Sequence, residues 1–209
     1  EAVQAGVTIE KIFALESYRD QLAAFPQTVW VSEEVLLDLA DTQTPQGIVA
    51  VIQKEEVGLP DFRQGKFLFL EDVQDPGNVG TMIRTADAAG FTGVIVSDKS
   101  ADIYSLKTLR SMQGSHFHLP IYRMSLASFV EEAKKSNLPI LATTLSKDSK
   151  DYHELSPLEN FALVMGNEGQ GISSVMAESA DQLVHIGMKG RAESLNVAVA
   201  AGILMFYFS

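Results

Sequence analysis

The sequence predicts an α/β protein in two parts: a small α/β domain over residues 1–54, and a larger domain over residues 66–209 built on a mainly parallel sheet. Three observations carry this. The chain has 209 residues, 46% hydrophobic and 21% charged, enough for one large core or two small ones. Short runs that are apolar on both faces alternate with helical patterns in the second part, as parallel strands covered by helices on each side require. Between the two parts, residues 55–65 hold Gly58, Pro60 and Gly65 among charges with no period, which reads as a linker.

In the first part Ile9–Leu15 reads as a strand, Ser17–Phe25 as a helix and Thr28–Val31 as a strand. Ser32 is a suitable cap for a helix opening Glu33-Glu34-Val35, because its hydroxyl accepts an orphan N–H while the acids face the positive helix end. Pro45-Gln46-Gly47 turns the chain into Ile48–Ile52, a β-branched run. The chain opens without Met in a helix-like Glu1–Ala5 and stops after an apolar run, so both ends read as trimmed.

In the second part the expected strands are Phe67–Leu70, Gly93–Val96, His116–Ile121, Ile140–Thr144, Phe161–Met165 and Leu183–Ile186. His116 and His118 would alternate along one of them with no further ligand nearby, so no metal site is expected. Parallel sheets bind ligands in the loops after the carboxyl ends of their strands. Chemistry is expected there.

Composition narrows the function. With no cysteine there is no disulfide, thiolate nucleophile or Cys-ligated metal, and no apolar run is long enough for a membrane span. No signal peptide opens the chain, and a cytoplasmic protein is expected. The net charge of −11 argues against nonspecific affinity for nucleic acid. Residues 1–64 carry four basic and eleven acidic side chains, residues 65–209 twelve and sixteen, so the second part is the better anion binder.

Three loops stand out. The first, Glu71–Gly80, leads into a helix whose Val79, Met82, Ile83 and Ala86 form a buried stripe. Arg84 lies off that stripe, either as a solvated arginine paired with Asp87 or as a fork of donors for a phosphate or ribose oxygen. The second, Gly166-Asn167-Glu168-Gly169-Gln170-Gly171, follows a strand and opens a helix, with glycines that let backbone N–H groups approach a ligand. Its spacing matches neither the G-x-G-x-x-G of dinucleotide folds nor a phosphate loop, which counts against a nicotinamide enzyme. The third runs from Ile186 through Met188, Ser194, Leu195 and Asn196 into a helix that is apolar all round to Phe208. Such a helix belongs in a core or at a subunit interface.

Together these loops resemble the three signature motifs of the SpoU/TrmH family of RNA ribose 2'-O-methyltransferases, within the SPOUT superfamily. Asn78–Ala86 looks like the first motif, Met165–Gly171 the second and Ser194–Ala200 the third. The resemblance covers nearly all of residues 66–209. Residues 1–54 are similar in pattern to the small substrate-binding domain of rRNA-modifying members.

The resemblance implies a catalytic domain whose C-terminal part is threaded into a trefoil knot, an exception to the rule that chains avoid threading loops. It implies S-adenosylmethionine held by Thr143, Thr144, Gly166, Asn167, Glu168, Gly171, Ile186, Met188, Ser194, Leu195 and Asn196. Arg84 would act at the 2'-hydroxyl, as proton acceptor or as a clamp on the phosphate and developing alkoxide, with Asn78, Glu168 and Asn196 orienting the pocket. No metal is required. The expected assembly is a homodimer acting on RNA, ribosomal in preference to transfer RNA. A tRNA 2'-O-methyltransferase, or a non-catalytic RNA-binding assembly factor of the same fold, remains open.

Overall fold

The structure, a computed structural model, describes residues 1–40, 42, 44–54 and 57–209. The chain divides into two compact units, Glu1–Glu56 and Val57–Ser209.

The first unit is a three-stranded mixed sheet of β1 (Ile9–Ala14), β2 (Thr28–Trp30) and β3 (Ile48–Ile52), with α1 (Glu33–Ala40) between the last two in sequence. The order is β2-β1-β3, with β1 parallel to β2 and antiparallel to β3. Ile12, Ala14 and Leu22 centre its core, and the Val35 N–H donates to Ser32 Oγ at the start of α1. The helix expected over Ser17–Phe25 is instead a single 3-10 turn, Glu16–Tyr18, followed by further turns. Two restraints account for this. The Tyr18 hydroxyl donates to the Gln46 carbonyl, and Pro26 disfavours helical geometry at Phe25.

The second unit contains β4 (Lys66–Leu70), α2 (Pro76–Ala88), β5 (Gly93–Val96), α3 (Leu106–Met112), β6 (Ile121–Arg123), α4 (Leu126–Lys135) and β7 (Ile140–Thr143), then β8 (Lys150–Asp151), β9 (Phe161–Met165), α5 (Ser174–Ser179), β10 (Gln182–His185) and α6 (Val197–Phe208). The sheet runs β6-β5-β4-β9-β7-β10-β8, and every pairing is parallel.

Its strands are apolar on both sides because both sides are covered. Leu68 and Leu70 face one core with Val79, Met82, Ile83 and Ala86 of α2 and Ala201, Leu204, Met205 and Phe208 of α6. Phe67 and Phe69 face the other, where Phe69 stacks on Phe129 of α4 with ring centroids 4.1 Å apart. Phe62, inside the stretch read as a linker, is 2% exposed and meets Phe67 and Phe129 edge-on, so the end of that stretch is part of this core.

A strand was expected at His116–Ile121, but Ser115–Phe117 is a 3-10 turn and β6 begins at Ile121. Gln113 and Gly114 leave α3 with φ of 48° and 89°, a left-handed exit that coils the chain before it can extend. His116 and His118 therefore do not alternate along a strand, and His118 Nδ1 lies 3.1 Å from Asp87. Among the described residues no cluster of His, Asp and Glu is arranged to hold a metal ion, and no helix is long and apolar enough to cross a membrane.

Candidate active site

The central strands β4, β9, β7 and β10 all end on the same edge of the sheet, and the loops after them converge there. After β4, the Glu71 N–H donates to the Met165 carbonyl at 2.8 Å and extends the ladder by one residue. Asp75 then caps α2, accepting from the Asn78 N–H at 2.9 Å with Pro76 at the first helical position, while Lys107 pairs with its other oxygen at 2.9 Å. After β9, the Asn167 side-chain oxygen accepts from the Gly169 and Gln170 N–H groups, and its amide donates to the Asp72 carbonyl at 2.8 Å. One side chain thus ties the second loop to itself and to the first.

Gly166 has a steric reason. A Cβ there would run into the backbone of Gly171 and Ile172, so the loop folds back on itself only without a side chain at this position.

Glu168 is the hub. Its Oε1 accepts from the Asp75 N–H and the Asn78 amide, each at 3.0 Å, and its Oε2 accepts from the Gln74 N–H at 3.1 Å. Asn78 Oδ1 in turn accepts from the Asn196 amide at 3.1 Å. Asn196 caps α6, its Oδ1 accepting from Ala198 and Val199. Asn78, Glu168 and Asn196 therefore form one chain of hydrogen bonds joining all three loops.

Burial pushes the Glu168 carboxyl up, but the Asn78 amide and the N–H groups of Asp75 and Gln74 outweigh it and hold the group below its ordinary 4.5. The stability it adds is then complete above pH 4.5 and lost as pH falls through the lower folded value. Denaturant titrations of wild type and Glu168→Gln are expected to differ by about 0.5–1.5 kcal/mol near neutral pH, a modest figure because solvent screens the exposed carboxylate. That difference shrinks only below pH 4.5.

Beside this network lies a cleft of ≈ 810 Å³. Thr143, Thr144, Gly166, Asn167, Glu168, Gly171, Ile186, Met188, Ser194, Leu195 and Asn196 all line it. Asn78 borders it through its bonds to Glu168 and Asn196 without lining it. Arg84 is not in the lining. It stands exposed on α2 with no hydrogen bond or ion pair among the described residues, and Asp87, its possible partner by spacing, is taken by His118.

Two supports of the site were not foreseen. Asp75 is the first; Asp-Pro ahead of a helix is a capping signal that marks it. Glu71 is the second: only 4% exposed, it accepts from the Ser173 N–H at 3.2 Å and so secures the start of α5 behind the glycine loop. A carboxylate directly after an apolar strand was the available sign.

Comparison with known proteins agrees with this geometry. The model of the SpoU rRNA Methylase family matches residues 65–206. The 23S rRNA (guanosine(2553)-2'-O)-methyltransferase RlmP of Bacillus subtilis is 42% identical over 99% of this chain and 83% of its own. Among solved structures, an AdoMet-bound rRNA methyltransferase from Sinorhizobium meliloti superposes with a TM-score of 0.87 at 32% identity, over 99% of this chain and 81% of that one. The SpoU methyltransferase AviRb from Streptomyces viridochromogenes gives 0.84 at 28% identity, over 99% and 83%. A parallel sheet, three loops tied together beside one cleft and a family match across most of the second unit have a single common explanation: this chain belongs to the SpoU rRNA methylase family.

Proposed function

We propose that the protein transfers a methyl group from S-adenosylmethionine to a ribose 2'-hydroxyl of RNA, ribosomal RNA above all. The observation that carries this is the cleft itself, lined by the second and third loops and joined to the first by the bonds of Asn78 to an ionised Glu168 and to Asn196. Its volume lies in the range of about 300–1,000 Å³ usual for small-molecule sites. Gly166 and Gly171 keep one wall open to close backbone approach, and Ile186, Met188 and Leu195 supply apolar faces for a purine. The residues present fit the cofactor.

Bound S-adenosylmethionine supplies an electrophilic methyl on a sulfonium, which becomes a neutral thioether as the 2'-oxygen gains the methyl and releases its proton. The chain's own contribution is alignment and charge. Arg84 holds the neighbouring phosphate and stabilises the developing alkoxide. A guanidinium stays protonated in proteins, so the proton passes to phosphate or water. Asn78, Glu168 and Asn196 keep the pocket in register.

The knotted topology of the family is part of this reading. In its support, α6 returns from β10, next to the edge strand β8, to pack over α2 and against β9, where Phe208 meets Phe161 at 5.8 Å between ring centroids. The protein acts as a homodimer, its RNA site drawing on both subunits, and as an RNA-modifying enzyme it works in the cytoplasm. Val199, Ile203 and Phe206 form an outward stripe on α6 with exposures of 52%, 36% and 58%, the apolar face a second copy would cover. Phe206→Glu is expected to raise the dimer dissociation constant by about 30-fold or more, read by sedimentation. A monomeric wild type at micromolar concentration would count against the dimer.

The small first unit grips the RNA. Preference for ribosomal over transfer RNA rests on the Bacillus subtilis relative, which is matched across both units and acts on 23S rRNA. Purified protein with labelled cofactor and separated rRNA and tRNA decides the matter. Label in rRNA that maps to a 2'-oxygen supports the reading, label in tRNA alone redirects it, and RNA binding without label sinks it.

A further inference from the structure

The geometry points to Asp151 as a positioning residue that fixes the Ile186–Gly187 peptide and thereby gives the cleft its preference for an adenine base; this rests on the cofactor reading above. Asp151 ends the short edge strand β8, and its two carboxylate oxygens do different work. Oδ1 accepts from the His153 N–H at 3.0 Å and from His153 Nδ1 at 2.9 Å, a local turn that immobilises the carboxylate. Oδ2 accepts from the Gly187 N–H at 3.1 Å, across from the turn that follows β10.

The segment carrying Asp151 is itself anchored. The His153 ring lies against Tyr152 and Tyr207, and the Tyr207 hydroxyl, from α6, donates to the Leu155 carbonyl at 3.1 Å. The His153 N–H and then the His153 ring outweigh burial and, with a lesser pull from the Gly187 N–H, hold the Asp151 carboxyl below its ordinary value, so the clasp is ionised near neutrality.

What the clasp controls follows from peptide geometry. Every peptide bond among the described residues is trans, so the Gly187 N–H and the Ile186 carbonyl point to opposite sides of the peptide plane. Ile186 and Met188 line the cleft, whereas Asp151 and Gly187 do not. With the N–H drawn to Asp151, the Ile186 carbonyl faces away from it, on the side of the cleft. A carbonyl fixed there accepts from the exocyclic amine of adenine and opposes the ring carbonyl that hypoxanthine carries at the same position.

Gly187 offers a second way to break the clasp. A Cβ at this residue would meet Asp151 Oδ2 at 2.5 Å, a side-chain atom and not main chain, and the glycine φ is not in the left-handed region. Gly187→Ala therefore displaces the carboxylate without demanding a new backbone.

Calorimetry of the full chain with S-adenosylhomocysteine and S-inosylhomocysteine tests the assignment without requiring turnover. Wild type is expected to prefer the adenosyl compound by about 100-fold or more, as sites built around a hydrogen bond do. Asp151→Ala and Gly187→Ala are each expected to shrink that ratio by roughly 10-fold, from the loss of one charge-assisted hydrogen bond, with melting temperatures close to wild type. A merely structural role would weaken both ligands alike. Binding with the wild-type ratio retained in both variants overturns the clasp alone, and absence of binding by wild type overturns the cofactor reading with it. Should Asp151→Ala fail to fold, Gly187→Ala still decides.

Discussion

Arg84→Ala is expected to lower methyl transfer by about 100- to 1,000-fold, the usual consequence of removing a charged donor from a developing oxyanion. Affinity for S-adenosylhomocysteine should stay within about 2-fold of wild type, because Arg84 is outside the cleft lining and, among the described residues, bonds to nothing whose loss would disturb it. An exposed arginine with no partner among the described residues, on a helix otherwise buried through Val79, Met82, Ile83 and Ala86, contributes little to stability, so the variant should melt like wild type. Arg84→Lys keeps the charge and loses the planar fork, and an intermediate rate is expected of it. Single-turnover rates with saturating cofactor give the answer. Turnover in Arg84→Ala comparable with wild type would remove this side chain from the mechanism and leave the 2'-oxygen to be activated by another group.

Much of the second unit was legible because its signals are local. The stripe on α2 obeys the 3.6-residue period, and strands apolar on both faces could only belong to a covered parallel sheet. What failed was also local, but overridden from afar. Ser17–Phe25 has a helical pattern, yet a hydrogen bond from Tyr18 to a residue 28 positions away holds it in turns. The run His116–Ile121 has β propensity, yet the left-handed exit from α3 sends it into a coil first. Propensity is a weak prior where a tertiary contact competes.

The candidate site was legible in a different sense. Nothing in periodicity says that Asn78 and Asn196, 118 positions apart, share a hydrogen bond, or that β9 lies between β4 and β7. Motif resemblance supplied the convergence, and the structure supplies its physical form, a carboxylate that takes three hydrogen bonds from one loop while it stands in another. Supports such as Glu71 and Asp151 escaped notice because each acts through a backbone N–H that no motif records.

The same loop yields the second large effect. At Gly166 an added Cβ would collide with main-chain atoms of Gly171 and Ile172, and main chain cannot swing aside as a side-chain tip can. Gly166→Ala must therefore open the loop, stretching the paired Asn167–Gly171 backbone bonds of 3.0 and 2.9 Å and moving Glu168 off its donors. Overpacking of this kind costs about 1–3 kcal/mol. Spent on the cleft, that is roughly a 5- to 150-fold loss of affinity for S-adenosylhomocysteine, with a melting point a few degrees lower. Gly169→Ala is the control, since a Cβ there meets nothing nearer than Asn167 Oδ1 at 3.7 Å. It sits in the same loop and should bind within about 2-fold of wild type. If the two alanines behave alike, the loop is tolerant and the cleft does not depend on its backbone path; if only Gly166→Ala fails, that path is what shapes the cofactor site.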